Sequence, residues 1–359
     1  MECTLNKKIP IFPIIKVASS CNLSCSYCSA EEYMEHNRKS IMTKETAKRV
    51  VEELARVRDG GTFLWHGGEA LLAGQEFYQF VIDLQKSLEL TGYRNDIQTN
   101  AVLITDNWTQ FLKDSGFQIG ISIDGPDAIH NELRVFSNGA GSHKQVMRGA
   151  EKLQDNSVHF GVLVVVTKQS CKYPKEIFSF MLEHGIKSFD FKPCYGDPRY
   201  DVSLVDFAKF MIQIFDLWEK LDDPQVHIRI LEGFMRNLLG SKASVCSQNG
   251  NCKLVVTINH NGDVYPCDRF IEPAYKYGNI NETPLDELYE ESEGSKAFSA
   301  HVDQQRTSCE GCSYRPVCQS GCTQERDYWP EEYCEHRILM IDHIRSWLIE
   351  QGEHPVSVN

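Results

Sequence analysis

The sequence predicts an α/β fold: a body on a six-stranded parallel sheet, followed by a cysteine-dense C-terminal module. Three observations predict it. Short apolar runs alternate with helical stretches from Ile11 to about Pro193, the pattern of strands covered on both faces. Eight of the 14 cysteines crowd the last third, from Cys246 to Cys334, and three more lie within Cys21–Cys28. The stretch from Arg49 to Val245 holds only Cys171 and Cys194.

The expected strands are Ile11–Val17, Thr62–Trp65, Asn95–Gln98, Gln118–Ile123, His159–Val166 and Ser188–Phe191. Helices are expected between them at Lys44–Arg56, Glu76–Leu90, Asn107–Asp114, His143–Gln154 and Tyr173–His184, with Thr43 and Asp106 as N-caps of the first and third. Right-handed crossovers would then gather functional groups at the C-terminal ends of the strands. Beyond Pro193 the sequence reads as a loop, helices at about Leu204–Lys220 and Glu232–Leu239, and a short strand near Val226–Ile230. Lys253–Asn259 and Gly262–Tyr265 read as a β-hairpin. A helix near Pro284–Tyr289 precedes a cysteine-rich segment with little periodicity, and a helix over about Glu335–Glu350 ends the chain.

With 359 residues, 42% apolar and 24% charged, the chain has the composition of a globular protein of two or three domains. A net charge of −13 disfavours nucleic acid and anionic membranes as partners. No apolar run reaches transmembrane length, and the N-terminus has no secretory pattern. So many cysteines in a chain read as cytosolic point to metal ligands before disulfides.

Cys21, Cys25 and Cys28 follow the first strand with the spacing C-x3-C-x2-C. Three thiolates this close can hold a 4Fe–4S cube and leave one iron open to a ligand; a three-cysteine zinc site or plain buried thiols are the alternatives. Gly67-Gly68-Glu69 ends strand two, Gln98-Thr99-Asn100 strand three, and Ser122-Ile123-Asp124-Gly125 strand four.

This combination resembles the radical S-adenosylmethionine (SAM) enzymes. The resemblance implies a partial (β/α)6 TIM-like barrel and a cluster whose open iron chelates SAM. It implies SAM contacts at Gly67, Gly68 and Glu69, where proline usually follows but Ala70 stands here, and at Gln98, Ser122 and Arg134. SAM cleavage would then yield a 5′-deoxyadenosyl radical.

The later cysteines on their own read as metal ligands, a zinc ribbon among the options. In order and number they resemble the SPASM module of radical SAM peptide maturases. The resemblance assigns Cys246, Cys252, Cys267 and Cys322 to one auxiliary 4Fe–4S cluster and Cys309, Cys312, Cys318 and Cys334 to another, three clusters in all. The domains implied are a core over 1–200, a helical bridge over 201–245 and a SPASM domain over 246–359. Asp268 matches the proposed catalytic base of the sulfatase-maturating branch. Cys3, Cys171 and Cys194 fall outside every motif and read as free thiols, with Cys194 at the mouth of the sheet.

The likeness to anaerobic sulfatase maturases, which oxidise Cys or Ser to formylglycine, covers nearly the whole chain. Two positions depart from it: Ser29-Ala30, where that branch has a tyrosine, and His66, where it has glutamine. The run Trp65–Gly74 looks more like maturases of ribosomally made peptides, so formation of a side-chain cross-link of cyclophane type is the first expectation and formylglycine formation the alternative. His66 reads either as a contact to substrate or SAM or as a structural residue. The implied partners are a precursor peptide, a flavodoxin- or ferredoxin-type reductant and a separate leader-recognition protein, since only about ten residues precede strand one. The expected setting is a reducing cytoplasm, with no nucleic acid or membrane as partner.

Overall fold

The structure, a computed structural model, describes residues 8–28 and 40–358. Six parallel strands carry the body: β1 (Phe12–Ala18), β2 (Gly61–Gly67), β3 (Tyr93–Thr99), β4 (Gln118–Ser122), β5 (Phe160–Val166) and β6 (Phe189–Pro193). Three more follow: β7 (Val255–Ile258), β8 (Asp263–Tyr265) and β9 (Gly278–Asn279). All nine form one sheet in the order β6-β5-β4-β3-β2-β1-β7-β8-β9. β1 is therefore edged by β7 and not by β6, and the six-stranded barrel stays open: a partial (β/α)6 barrel continued into the C-terminal module.

Parallel pairing of β7 with β1, from Phe12↔Val255 to Ile15↔Ile258, joins body and module through backbone hydrogen bonds. The expected hairpin forms as the antiparallel pair β7–β8. Its parallel attachment to β1 was not foreseen, because β7 is an all-buried apolar run with no mark of its partner.

Alternation along the strands separates two faces. Ile15, Val17, Phe63, Trp65, Ile97, Ile119, Ile121, Val162 and Val164 are buried against the helices. The other face carries Lys16, His66, Gln98, Gly120 and Ser122, with Lys16 opposite His66 and Gln98 opposite Gly120. One apolar core runs from Ile9 through the body to Val317, Met340 and Val358.

The helix Lys44–Val57 has Thr43 as its N-cap, accepting from the Thr46 N–H at 3.1 Å. The cap expected at Asp106 belongs instead to Thr105, which accepts from the Trp108 N–H at 3.3 Å; Asp106 sits in the first turn, paired with Lys152. The strand expected near Val226–Ile230 is replaced by a single bridge, Ser188↔His227. A helix takes over at Arg229 because Asp190 accepts from the Ile230 N–H at 3.2 Å and from Arg229 at 3.1 Å, a side-chain cap lent by β6. The cysteine-rich segment contains an unexpected helix, Glu293–Thr307, whose buried stripe is only Gly294, Phe298 and Val302, too narrow to register as periodicity. The helix Leu204–Leu221 lies along the last helix, Tyr333–Glu350, with Phe215 edge-on to Trp347.

Candidate active site

The loop leaving β1 is held by backbone bonds to the segment after β4: Ser24 N–H to Val135 O at 2.8 Å and Ser26 N–H to Leu133 O at 2.9 Å. They bring Cys21, Cys25 and Cys28 close enough to act on one another's charge. As isolated thiols two of them resist ionisation: burial pushes Cys21 up to about 12 and Cys25 to about 11, the latter opposed by Arg134. Metal ligation needs thiolates, so such a set suits a strongly charged centre. The loop also holds a buried amide donor with no partner, Asn22 Nδ2. Donor set and orphaned donor both fit an iron–sulfur cluster. The Ser29-Ala30 departure and Cys3 lie outside the described residues.

The Gly67-Gly68-Glu69 turn packs directly on this loop. Gly67 has φ +141°, and a Cβ there would lie 2.5 Å from the Ala18 carbonyl oxygen, so only glycine fits. Gly68 N–H donates to Ala18 O at 2.8 Å and Glu69 N–H to Ser20 O at 2.9 Å. The Glu69 carboxylate is 1% exposed and accepts from Thr99 Oγ1 (2.6 Å), Leu71 N–H (2.9 Å) and Asn100 N–H (2.8 Å). Its first task is to tie the ends of β2 and β3 together, leaving little acceptor capacity for an ammonium group. Gln98 Nε2 donates to Ser122 Oγ at 3.2 Å, and Gly120 makes room: a Cβ there would lie 2.1 Å from Gln98 Oε1.

Arg134 is buried, bonds Asp124 Oδ2 at 2.8 Å and stacks 5.3 Å from the Tyr27 ring centre. Asp124 also accepts from the Tyr27 hydroxyl and, through Oδ1, from the Val165 N–H at 3.0 Å. Arg134 thus stands beside Cys25 with its orientation fixed by Asp124.

Asp268 lies against the same face of the sheet from the module side. Burial pushes its carboxyl up, but Lys16, Arg269, Lys192 and His66 outweigh this and hold it down at about 2. Burial pulls both Lys16 and Lys192 below the ordinary lysine value. His66 accepts the Gly67 N–H at Nδ1 (2.7 Å), and burial drives its pKa down to about 4. Lys16 and Lys192 were not singled out by the sequence reading. Their signal was present: each is the one basic residue of its strand, in FPIIKVA and FDFKP.

The eight later cysteines separate into two sets. Cys252 acts on Cys246 and on Cys322, and Cys322 acts on Cys267. Cys318, Cys309 and Cys312 act together on Cys334. Among the described residues no three His, Cys, Asp or Glu side chains close tightly around one ion, so the sets rest on this mutual proximity. All-thiol sets of this kind fit 4Fe–4S clusters. Cys194 is buried just past the end of β6, and Cys171 is half-buried.

A profile described as the Radical SAM superfamily matches residues 15–181, and one described as an iron-sulfur cluster-binding domain, SPASM, matches residues 246–313. The cysteine-type anaerobic sulfatase-maturating enzyme of Clostridium perfringens (strain 13 / Type A) is 32% identical over 338 residues, 89% of this chain and 90% of that protein. The chain belongs to the radical SAM superfamily.

Within it, the serine-type anaerobic sulfatase-maturating enzyme of Bacteroides thetaiotaomicron is 30% identical over 346 residues, covering 88% of this chain and 83% of that protein. The solved structure of anSMEcpe with bound AdoMet and Cp18Cys peptide superposes with a TM-score of 0.86 at 29% identity, over 95% of this chain and 98% of that one. This radical SAM enzyme is therefore a peptide-modifying enzyme with close homology to the sulfatase maturases. That reverses the order of the two expectations: the cross-link reading drawn from Trp65–Gly74 has no specific support, and the sulfatase alternative has the stronger. Among the described residues no helix is long and apolar enough to cross a membrane.

Proposed function

We propose that this protein oxidises a cysteine or serine side chain of a protein substrate to formylglycine. The observation that carries the reading is about 30% identity to both cysteine-type and serine-type sulfatase maturases over nearly the full length of each chain. The charged floor around Asp268 supports the same reading.

Cys21, Cys25 and Cys28 would hold the cluster that binds SAM, and Gly67, Gly68, Glu69, Gln98, Ser122 and Arg134 would form the bed for SAM. The two later quartets would hold auxiliary clusters, giving three. Together these groups would supply a 5′-deoxyadenosyl radical that takes a hydrogen atom from the substrate Cβ, and sites that accept one electron. The chain itself must then take up the proton released from the substrate heteroatom; serine would give the aldehyde directly, and cysteine a thioaldehyde that water hydrolyses to the aldehyde with release of hydrogen sulfide. Asp268 is the group for this: it is ionised, buried and flanked by Lys16 and Lys192. A carboxylate held at about 2 is a weak base, and the two lysines matter as the charge that stabilises the ion. His66 is neutral at neutral pH and offers Nε2–H to the same face.

We divide the chain as core 1–200, bridge 201–245 and SPASM domain 246–359, supported by the spans of the two profiles. Oxygen-labile clusters favour a reducing cytoplasm and a flavodoxin- or ferredoxin-type donor. A leader-recognition protein is needed only on the cross-link reading.

The test is anaerobic reconstitution with iron, sulfide, SAM and dithionite, using sulfatase-type peptides that carry either Cys or Ser. An aldehyde trapped by a hydrazide at the target residue is the expected result. If co-expressed neighbouring peptides instead lose two hydrogens and resist fragmentation beside an aromatic residue, without an aldehyde, the cross-link reading replaces this one.

A further inference from the structure

The short helix Thr323–Tyr328 runs between the two auxiliary quartets, and two consecutive residues on it serve different sets. Glu325 serves the Cys246 set. It accepts from Arg269 at 2.9 Å, and Arg269 in turn stands 3.9 Å from Cys322 Sγ. Arg269, the cation at the Cys322 sulfur, is thus paired with a carboxylate, and a second carboxylate, Asp268, lies 3.4 Å from Cys267 Sγ, with Lys16 and Lys192 acting on it in turn.

Arg326 serves the other set. Its Nη2 donates to Cys309 Sγ at 2.9 Å. Its remaining contacts are neutral: the Ser320 carbonyl at 2.9 Å, the Ser308 hydroxyl at 3.4 Å and the Tyr333 ring at 4.9 Å. Arg337 adds a second guanidinium, this one buried, bonded to the Cys318 carbonyl at 2.9 Å. Among the described residues, neither arginine is in a salt bridge. Tyr333 links the sets, its hydroxyl accepting from the Cys322 N–H at 2.6 Å one residue before the ligand Cys334.

Net charge and hydrogen bonds to ligand sulfur set the potential of an iron–sulfur cluster. A cation bonded to sulfur favours the reduced, more negative form, and a nearby carboxylate opposes it. We propose that Glu325 and Arg326 poise the two auxiliary clusters at different reduction potentials, with the Cys309–Cys312–Cys318–Cys334 cluster the higher. One electron shared by the pair then rests on that cluster: as it is reduced, the Cys246–Cys252–Cys267–Cys322 cluster is reoxidised, with no proton exchanged. The electron is thereby drawn away from Asp268 and the substrate face. The proposal rests on the reading that each quartet holds a 4Fe–4S cluster.

The test is potentiometric titration of the reconstituted holoenzyme followed by EPR, with iron determined on every sample. Arg326→Gln should lower the upper auxiliary wave by about 59 mV, a tenfold change in a one-electron equilibrium, and leave the lower wave in place. Arg326→Lys, which keeps the charge, should restore most of it. Glu325→Gln, which frees Arg269, should raise the lower wave by a similar amount. Either change narrows the gap. If Arg326→Gln does not load its cluster, Glu325→Gln decides alone, since Arg326 is untouched. Full iron with an unmoved upper wave in Arg326→Gln, or an unmoved lower wave in Glu325→Gln, overturns the proposal. Iron too low for two auxiliary clusters in the unmodified enzyme overturns the cluster reading and the proposal with it.

Discussion

Glu69 and Asn100 connect the glycine-rich turn to the cysteine loop. The Glu69 carboxylate accepts the Asn100 N–H at 2.8 Å, and the Asn100 side-chain amide donates to Asn22 Oδ1 at 2.7 Å and approaches Cys21 Sγ at 3.6 Å. One residue at the end of β3 thus carries the position of the SAM turn to the first cysteine. Groups that orient metal ligands typically contribute ten- to a hundredfold to metal affinity or activity. Asn100→Ala should therefore slow reductive SAM cleavage by at least about tenfold, with peptide absent. Unchanged SAM cleavage would show that the contact is incidental.

Asp268 makes a different prediction, because it stands on the module side beside Cys267 and not among the residues assigned to SAM. Asp268→Asn should leave SAM cleavage near normal while product falls by about 10²–10⁴, the usual range for loss of a general base. The carboxyl is held at about 2, so its protonation does not set an acid limb above about pH 4. The ratio of 5′-deoxyadenosine to modified peptide, measured from pH 6 to 9, checks both statements. A ratio equal to that of the unmodified enzyme would remove Asp268 from the chemistry.

His66 bears on the choice of substrate. The sequence resemblance sets it where the sulfatase branch has glutamine, and its ring accepts a backbone N–H through Nδ1. A glutamine carbonyl can accept the same bond, so His66→Gln should fold normally and cleave SAM within about twofold of the starting rate. On the formylglycine reading, aldehyde yield should hold or rise. A collapse of yield with SAM cleavage intact would mean that the imidazole contacts a different kind of substrate.

The cysteine ladder and the alternating apolar runs were legible because each is local. Three thiols within eight residues need no tertiary knowledge, and the six strands of the body appear within a few residues of their expected bounds. The face of the sheet was less legible. Lys16 and Lys192 look like ordinary surface lysines until register shows which side they occupy, and Asp268 gains its low pKa only when β7 docks on β1. The saturation of Glu69 was also hidden, since Thr99 and Asn100 reach it from thirty residues away. The Val226–Ile230 segment was misjudged because the deciding group, Asp190, lies on another strand.

Acid should weaken the folded state well before the carboxylates titrate. Burial depresses His66 to about 4 and His130 and His336 to about 3, against an ordinary value near 6.5. The unfolded chain then binds more protons than the folded one below about pH 6.5, so stability falls as pH falls. The contribution is fully present above 6.5 and is lost progressively toward pH 3–4. Urea midpoints should be lower at pH 5.5 than at 7.5. His130, whose Nε2 lies 3.0 Å from Ser142 Oγ, is the clearest single test. His130→Asn should flatten part of the slope; an unchanged slope would place the acid sensitivity elsewhere.

The last prediction concerns how the module is fixed to the body. Glu53, on the helix Lys44–Val57, is buried and accepts the Leu285 N–H at 2.8 Å, at the start of a module helix. It also pairs with Arg49 at 3.1 Å and Arg56 at 2.7 Å, and Arg56 reaches on to Asp286. Arg49 separately donates to the Ile280 carbonyl at 3.0 Å. One carboxylate thus joins two basic residues of the body to the first turn of a module helix. Glu53→Ala leaves the buried Leu285 N–H without its acceptor and takes one partner from each of Arg49 and Arg56, which keep the Ile280 carbonyl and Asp286; the change costs roughly 2 kcal/mol. Because β7 still pairs with β1, the module should remain attached but open locally more often. Hydrogen exchange should therefore speed up in residues 278–291 while β3 and β4 keep their protection. Equal acceleration across all strands would mean that Glu53 supports the whole fold and not this junction.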